Sequence, residues 1–172
     1  MKRITFLLAG VTLAGVVAFT IPVPGHAGDS ADPTYVTNIP AGYRDWKFVS
    51  TAHEAGSLNS IGAVLGNDVA MKAYRDGKYP FPDGAIVDAL HYSYVPSAEN
   101  NKVFGQAQSF VAGPATNIQF MVKDSAKYAA TDGWGFAFFI DGKPVEAAKM
   151  TSCYPCHSQA KSSDLVFTHY AQ

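Results

Sequence analysis

The chain has 172 residues, with 13 basic against 14 acidic side chains, a formal net charge of −1 and 13% aromatic residues. That length suits one domain with a sizeable core and is short for two ordinary ones. The balanced charge, without a basic run, excludes the electrostatic footprint of a nucleic-acid-binding protein.

In chain order, Met1, Lys2 and Arg3 put positive charge ahead of an apolar stretch from Ile4 to Ile21, the layout of a secretory signal peptide. Pro22 and Pro24 close the stretch, and Gly25-His26-Ala27 offers small residues for a cut after Ala27. An uncleaved membrane anchor is the competing reading, because the apolar length approaches the roughly 18 to 20 residues that span a bilayer. The interspersed threonines and the small-residue site favour cleavage, which predicts a periplasmic protein without membrane attachment. Residues 28–42, with Pro33, Pro40 and Gly42 among polar residues, read as a flexible leader, and 43–172 as a single domain.

Within the domain, Arg44 to Ser50 alternates enough to predict a strand. Asn67 to Asp76 reads as a helix, capped by Asn67 or Asp68 and ended by Gly77. Tyr79-Pro80-Phe81-Pro82-Asp83-Gly84 is a turn. Ala85 to Tyr94 follows as a strand, with Ala85, Val87, Ala89, His91 and Ser93 on one face. Further strands are expected at Val103 to Val111, Ile118 to Lys123 and Trp134 to Ile140, with a short helix from Asp124-Ser125 through Ala130. A last short helix carries Cys153 to His157, and Asp164 to Tyr170 returns as an extended segment. These elements give an α+β domain: a mainly antiparallel sheet of about five strands with a few short helices.

The only two cysteines, Cys153 and Cys156, stand three apart with His157 directly after the second. Cys-x-x-Cys-His is the attachment signature of haem c. Two thiols about one helical turn apart can add to the two vinyl groups of a haem, and the next imidazole can reach the iron. A disulfide or a thioredoxin-like site is the rival reading, but such motifs open a strand-helix unit and this one lies near the C-terminus. Zinc is weaker, because His169 is too far on to complete a four-ligand set. A single covalent haem c ligated by His157 is therefore expected. Met71, Met121 and Met150 all precede the motif and read as core filler, so an open sixth position is expected on the iron.

In this setting the chain resembles the cytochrome P-460 family, which includes hydroxylamine-oxidising members and the sheet-built cytochromes c-prime-beta. The resemblance rests on Tyr43-Arg44-Asp45-Trp46, Phe81-Pro82-Asp83-Gly84, Met121-Val122-Lys123-Asp124-Ser125, Trp134-Gly135-Phe136-Ala137-Phe138, the cysteine motif and Asp164-Leu165-Val166-Phe167-Thr168. It implies a mainly antiparallel sheet, a proximal histidine, an open distal face, and a homodimer. The oxidising members carry a lysine bonded to the haem, at the position that the resemblance places at Ala89. A methyl group cannot make that bond. The c-prime-beta branch is thus the nearer one, and it implies binding of nitric oxide or a related small ligand. A hydroxylamine-oxidising enzyme, or a simple electron carrier with a redox partner protein, stays open as an alternative.

Around the expected cofactor, His91 shares a strand face with Ala89 and could donate a hydrogen bond, move protons or ligate the iron. A solvated or core histidine is the plainer reading. Arg44 could hold a haem propionate or serve only a surface ion pair. Phe81 is a candidate cavity wall or ordinary core.

Overall fold

The structure is a computed structural model and describes residues 35–171. The expected signal peptide and residues 28–34 of the expected leader lie outside the described residues. Six strands form one antiparallel sheet in the order of the chain: β1 (Lys47–Glu54), β2 (Ser60–Gly66), β3 (Ile86–Pro96), β4 (Phe110–Lys123), β5 (Trp134–Ile140) and β6 (Lys143–Pro144). Among the described residues, four short α-helices accompany them: α1 (Asp68–Asp76), α2 (Ala98–Phe104), α3 (Ala147–Met150) and α4 (Cys153–His157). This is the α+β, mainly antiparallel architecture read from the sequence. Among the described residues, no helix is long and apolar enough to cross a membrane.

Helix α1 begins and ends as its residues dictate. The Asn67 side chain accepts from the Ala70 amide at 2.9 Å, satisfying one of the donors that a helix start leaves free, and Gly77 closes the helix at φ 59. Asn67 also accepts from the Ile86 amide at 3.1 Å, so one side chain ties the helix start to the first residue of β3.

Several boundaries move from their sequence-based places. The expected strand from Arg44 starts later, because Gly42 at φ 69 opens a 3-10 turn over Tyr43–Asp45. The expected strand at Val103 is helix α2 up to Phe104. Ser97 caps it by accepting from the Asn100 amide at 3.2 Å, and this local cap overrides the β preference of Val103 and Phe104. Ile118 to Lys123 is the end of a single 14-residue strand rather than a strand of its own. After it comes a turn with a 3-10 helix at Ala129–Thr131 in place of the longer helix expected there. The last part of the expected leader is docked: Tyr35 forms a parallel bridge with Phe136, and the Val36 amide donates to the Phe136 carbonyl at 2.7 Å.

Strand alternation gives the sheet two apolar faces. One packs against α1 and the C-terminal segment through Val64, Val87, Met121, Trp134, Phe136, Leu165 and Val166. The other carries Phe120, Ala137 and Phe139 and is covered by Val36, Ile39, Tyr43 and Trp46. Burying each of these large side chains contributes roughly 1.5–3 kcal/mol before entropy is counted. Phe81 belongs to the first cluster, edge-on to Tyr74 at 5.0 Å and to Trp134 at 5.6 Å.

Gly135 is required by contact. A Cβ built there would sit 2.3 Å from Cζ of the buried Tyr128, a separation no side chain tolerates. Gly135→Ala is expected to cost about 1–3 kcal/mol through overpacking, read as a lower urea midpoint. Tyr128→Ala should cost less in the Gly135→Ala background than in the parent, because the ring that causes the clash is gone. A Gly135→Ala protein as stable as the parent would show that Tyr128 moves freely.

Candidate functional site

Helix α4 holds the cysteine motif against the first face of the sheet. Cys153 is half-buried and Cys156 exposed, and both are free thiols. Burial raises the pKa of the Cys153 thiol, so it stays protonated at neutral pH. The Cys156 amide donates to the Ser152 carbonyl at 3.2 Å, a helical bond that fixes the two thiols one turn apart.

His157 Nδ1 lies 2.8 Å from the Leu165 carbonyl oxygen. A carbonyl only accepts, so the ring proton sits on Nδ1 and Nε2 keeps its lone pair, the tautomer needed to bind a metal. Burial pulls the His157 pKa below the ordinary histidine value, against a smaller upward pull from the Leu165 carbonyl. The neutral ring is the one present at pH 7. Phe136 and Phe167 flank it with ring centroids at 5.2 and 4.9 Å.

The carbonyl that selects this tautomer comes from an unusual turn. Asp164 and Leu165 both have left-handed backbone conformations, with φ 52 and φ 67. Two such non-glycine residues in a row cost energy and need support from around them. Lys123 supplies it: its Nζ sits 3.0 Å from both oxygens of Asp164 and donates to the Asp132 carbonyl at 3.0 Å. Asp164 also accepts from the Phe81 amide at 2.8 Å, and the Leu165 amide donates to the Ala160 carbonyl at 2.9 Å. A buried ion pair thus holds the residue that orients the histidine.

A cavity of about 630 Å³ lies between α4, the Val166–Thr168 segment and the sheet. Cofactor and ligand sites span about 300–1,000 Å³. Cys153 and His157 border it on one side, and Val64, Val87, Ala89, His91, Met121 and Phe136 on the sheet side. Asn117, Gln119 and Thr116 add polar groups. The residues fit a haem: two reduced thiols one helical turn apart, an imidazole in the metal-binding tautomer, and an apolar chamber large enough for a flat ring. Among the described residues, no three His, Cys, Asp or Glu side chains gather to hold a bare metal ion.

Of the residues singled out from the sequence, the structure brings Cys153, His157, Ala89 and His91 to one cavity, with Cys156 beside it on α4. The register confirms the shared face: Ala89 pairs with Val64 and Gln119, and His91 with Gly62 and Asn117. Two candidates fall elsewhere. Phe81 does not border the cavity, because its ring is spent on Tyr74 and Trp134. Arg44 does not border it either; it sits in the 3-10 turn, donating from Nε to the Tyr43 hydroxyl at 3.1 Å and lying 3.5 Å from the Tyr92 hydroxyl.

Sequence reasoning missed Glu54, Asn117 and Gln119 as cavity residues and the Leu165 carbonyl as the partner of His157. Glu54 enters only through the pairing of β1 with β2, and the Gly62 and Gly66 of β2 hide that strand from pattern reading. The Leu165 contact is made by backbone and leaves no trace in side-chain chemistry.

An antiparallel wall facing a helix with two thiols and a carbonyl-anchored imidazole defines the class of sheet-built haem-holding domains. The family model described as Cytochrome P-460 matches residues 40–168. The chain belongs to the cytochrome P-460 family, whose members are haem cytochromes. No curated protein matches it.

Proposed function

We propose that the chain is an exported, periplasmic cytochrome with a single haem c, thioether-linked through Cys153 and Cys156 and ligated by His157, whose open opposite face binds nitric oxide or a related small nitrogenous ligand. The observation that carries this reading is the contact of His157 Nδ1 with the Leu165 carbonyl at 2.8 Å, on a ring that borders a haem-sized cavity. A haem bound there supplies an iron that accepts a ligand's lone pair. The protein's own work is to fix the ring's tautomer, raise its basicity through the carbonyl and hold it between Phe136 and Phe167.

The sheet side of the cavity supports an unfilled distal position. Ala89 offers only a methyl group, and among the described residues no lysine borders the cavity. Buried Lys123 is engaged by Asp164 and is no substitute for the cross-linking lysine of the oxidising members. The hydroxylamine-oxidising reading therefore has less support than the ligand-binding one. Export rests on the Met1–Ala27 pattern, and a homodimer and a redox partner protein rest on the family resemblance.

Absorption spectra of the purified ferric and ferrous protein, with and without nitric oxide, test the proposal. A five-coordinate iron whose bands move on adding the gas is expected, with an intact mass that shows one haem and no further cross-link. A six-coordinate, low-spin iron indifferent to the gas would overturn it.

A further inference from the structure

Glu54 closes the end of β1, opposite Ser60 of β2, which in turn is paired with Ser93 of β3. The buried Ser60 hydroxyl donates to Glu54 Oε2 at 2.9 Å. The same oxygen stands 3.6 Å from His91 Nδ1, an ion-pair separation just beyond hydrogen-bond length. The two side chains differ in exposure: 11% for His91 and 43% for Glu54. One group is inside the cavity and the other reaches water. A Cβ at Gly62 would lie in ordinary contact with the ring, 3.5 Å from His91 Cε1, so a longer branched side chain there would press on it.

We infer that Glu54, held by Ser60, and His91 form a proton relay between the cavity and solvent, which suits the site to small weak-acid ligands that bind as their conjugate bases. The inference rests on the open-site reading above. Glu54 Oε2 faces His91 Nδ1 at 3.6 Å, so a small closure of that gap lets it accept the Nδ1 proton while Nε2 takes one from the ligand. The ligand's H–X bond breaks with its electron pair left on X, and the proton goes to His91 Nε2. The Nδ1 proton then passes to Glu54 Oε2 and from there to bulk water. Nothing is oxidised or reduced. Among the described residues, the remaining ionisable groups that face the cavity are His157 and Cys153, Asp88 being on the opposite face of β3, and Asn117 and Gln119, the partners of His91 and Ala89 in β4, are neutral.

Two probes separate this role from a merely structural one. Hydrogen cyanide must lose a proton to bind the ferric protein at pH 7, whereas carbon monoxide binds the ferrous protein without one. The readout is the ratio of their association rates by stopped flow. Positioned acid-base groups contribute about 10²-fold or more, so His91→Leu should lower the ratio about 100-fold. Glu54→Gln, a milder change at an exposed position, should lower it about tenfold on the same scale, and Gly62→Val should act like His91→Leu by moving the ring. If both ligands bind and no variant changes the ratio, the relay is refuted while the open site stands. If neither ligand binds the parent protein, both readings fail. If the parent iron is six-coordinate and His91→Leu makes it five-coordinate, His91 is an iron ligand and the relay is refuted.

Discussion

Lys123→Met is expected to remove about 3–5 kcal/mol of stability, the cost of leaving one member of a buried pair without its partner. Lys123 is 4% exposed and Asp164 11%, so water cannot replace the lost ammonium. Methionine keeps most of the stem that packs beneath Trp134, where Nζ lies 4.9 Å from the ring centroid, and this makes the lost charge the main change. Asp164 would keep the Phe81 amide as its one remaining hydrogen bond. Adding Asp164→Asn should recover most of the loss, because asparagine tolerates the left-handed backbone and still accepts from Phe81 without a stranded charge. Urea unfolding of the single and double variants measures both effects. A Lys123→Met protein within 1 kcal/mol of the parent, by the ordinary scale of exposed pairs, would mean that water reaches the pair. The same variant should alter the iron spectrum, since the turn that presents the Leu165 carbonyl to His157 loses its anchor.

Asp88→Asn is expected to stabilise the protein above about pH 5, and increasingly so up to pH 8. Asp88 is 1% exposed on the second face of the sheet, in register with Leu65 and Phe120, and neither carboxylate oxygen has a well-formed hydrogen bond. Loss of water raises its pKa from 3.8 to about 7; the amides of Leu65 and of Asp88 itself, and the charge of Arg44, oppose the rise only in part. The folded state thus holds this proton more tightly than the unfolded chain. Stability from Asp88 is complete below the unfolded value near 3.8 and falls as pH rises through the folded value near 7. At about 1.4 kcal/mol per pH unit, the loss reaches about 4 kcal/mol. Asparagine has no charge to strand, so its stability should be flat across that window. Unfolding midpoints of both proteins at pH 4, 6 and 8 decide it, and an Asp88→Asn protein less stable than the parent at pH 8 would show that the carboxylate has a cationic partner.

How much of this could be read from residues alone depended on whether the signal was local. Helix α1 was legible because Asn67 and Gly77 mark its ends, and β5 because Trp134 to Ile140 is an unbroken apolar and aromatic run. The face of β3 that meets the cavity was legible because alternation is a property of the strand itself. Strand β2 was not, since its two glycines carry no pattern and its place is set by neighbours on both sides. Helix α2 was lost because Val103 and Phe104 favour a strand, whereas the Ser97 cap and Gly105 decide otherwise. At the site, the thiols and His157 were plain from spacing. The approach of Glu54 to His91 joins residues distant in the chain, and the Leu165 carbonyl is a backbone group whose placement depends on a turn held by Lys123 from another strand.

The unbroken strand order has a consequence for maturation. Every strand bonds to the one made just before it, so the wall of the chamber can assemble from short-range steps. The final stretch arrives from elsewhere, and its last tie is the Ala171 amide on the Val49 carbonyl. The two sulfurs thus belong to a piece whose tie to the sheet spans most of the domain, and the wall opposite them can be complete before that piece closes on it.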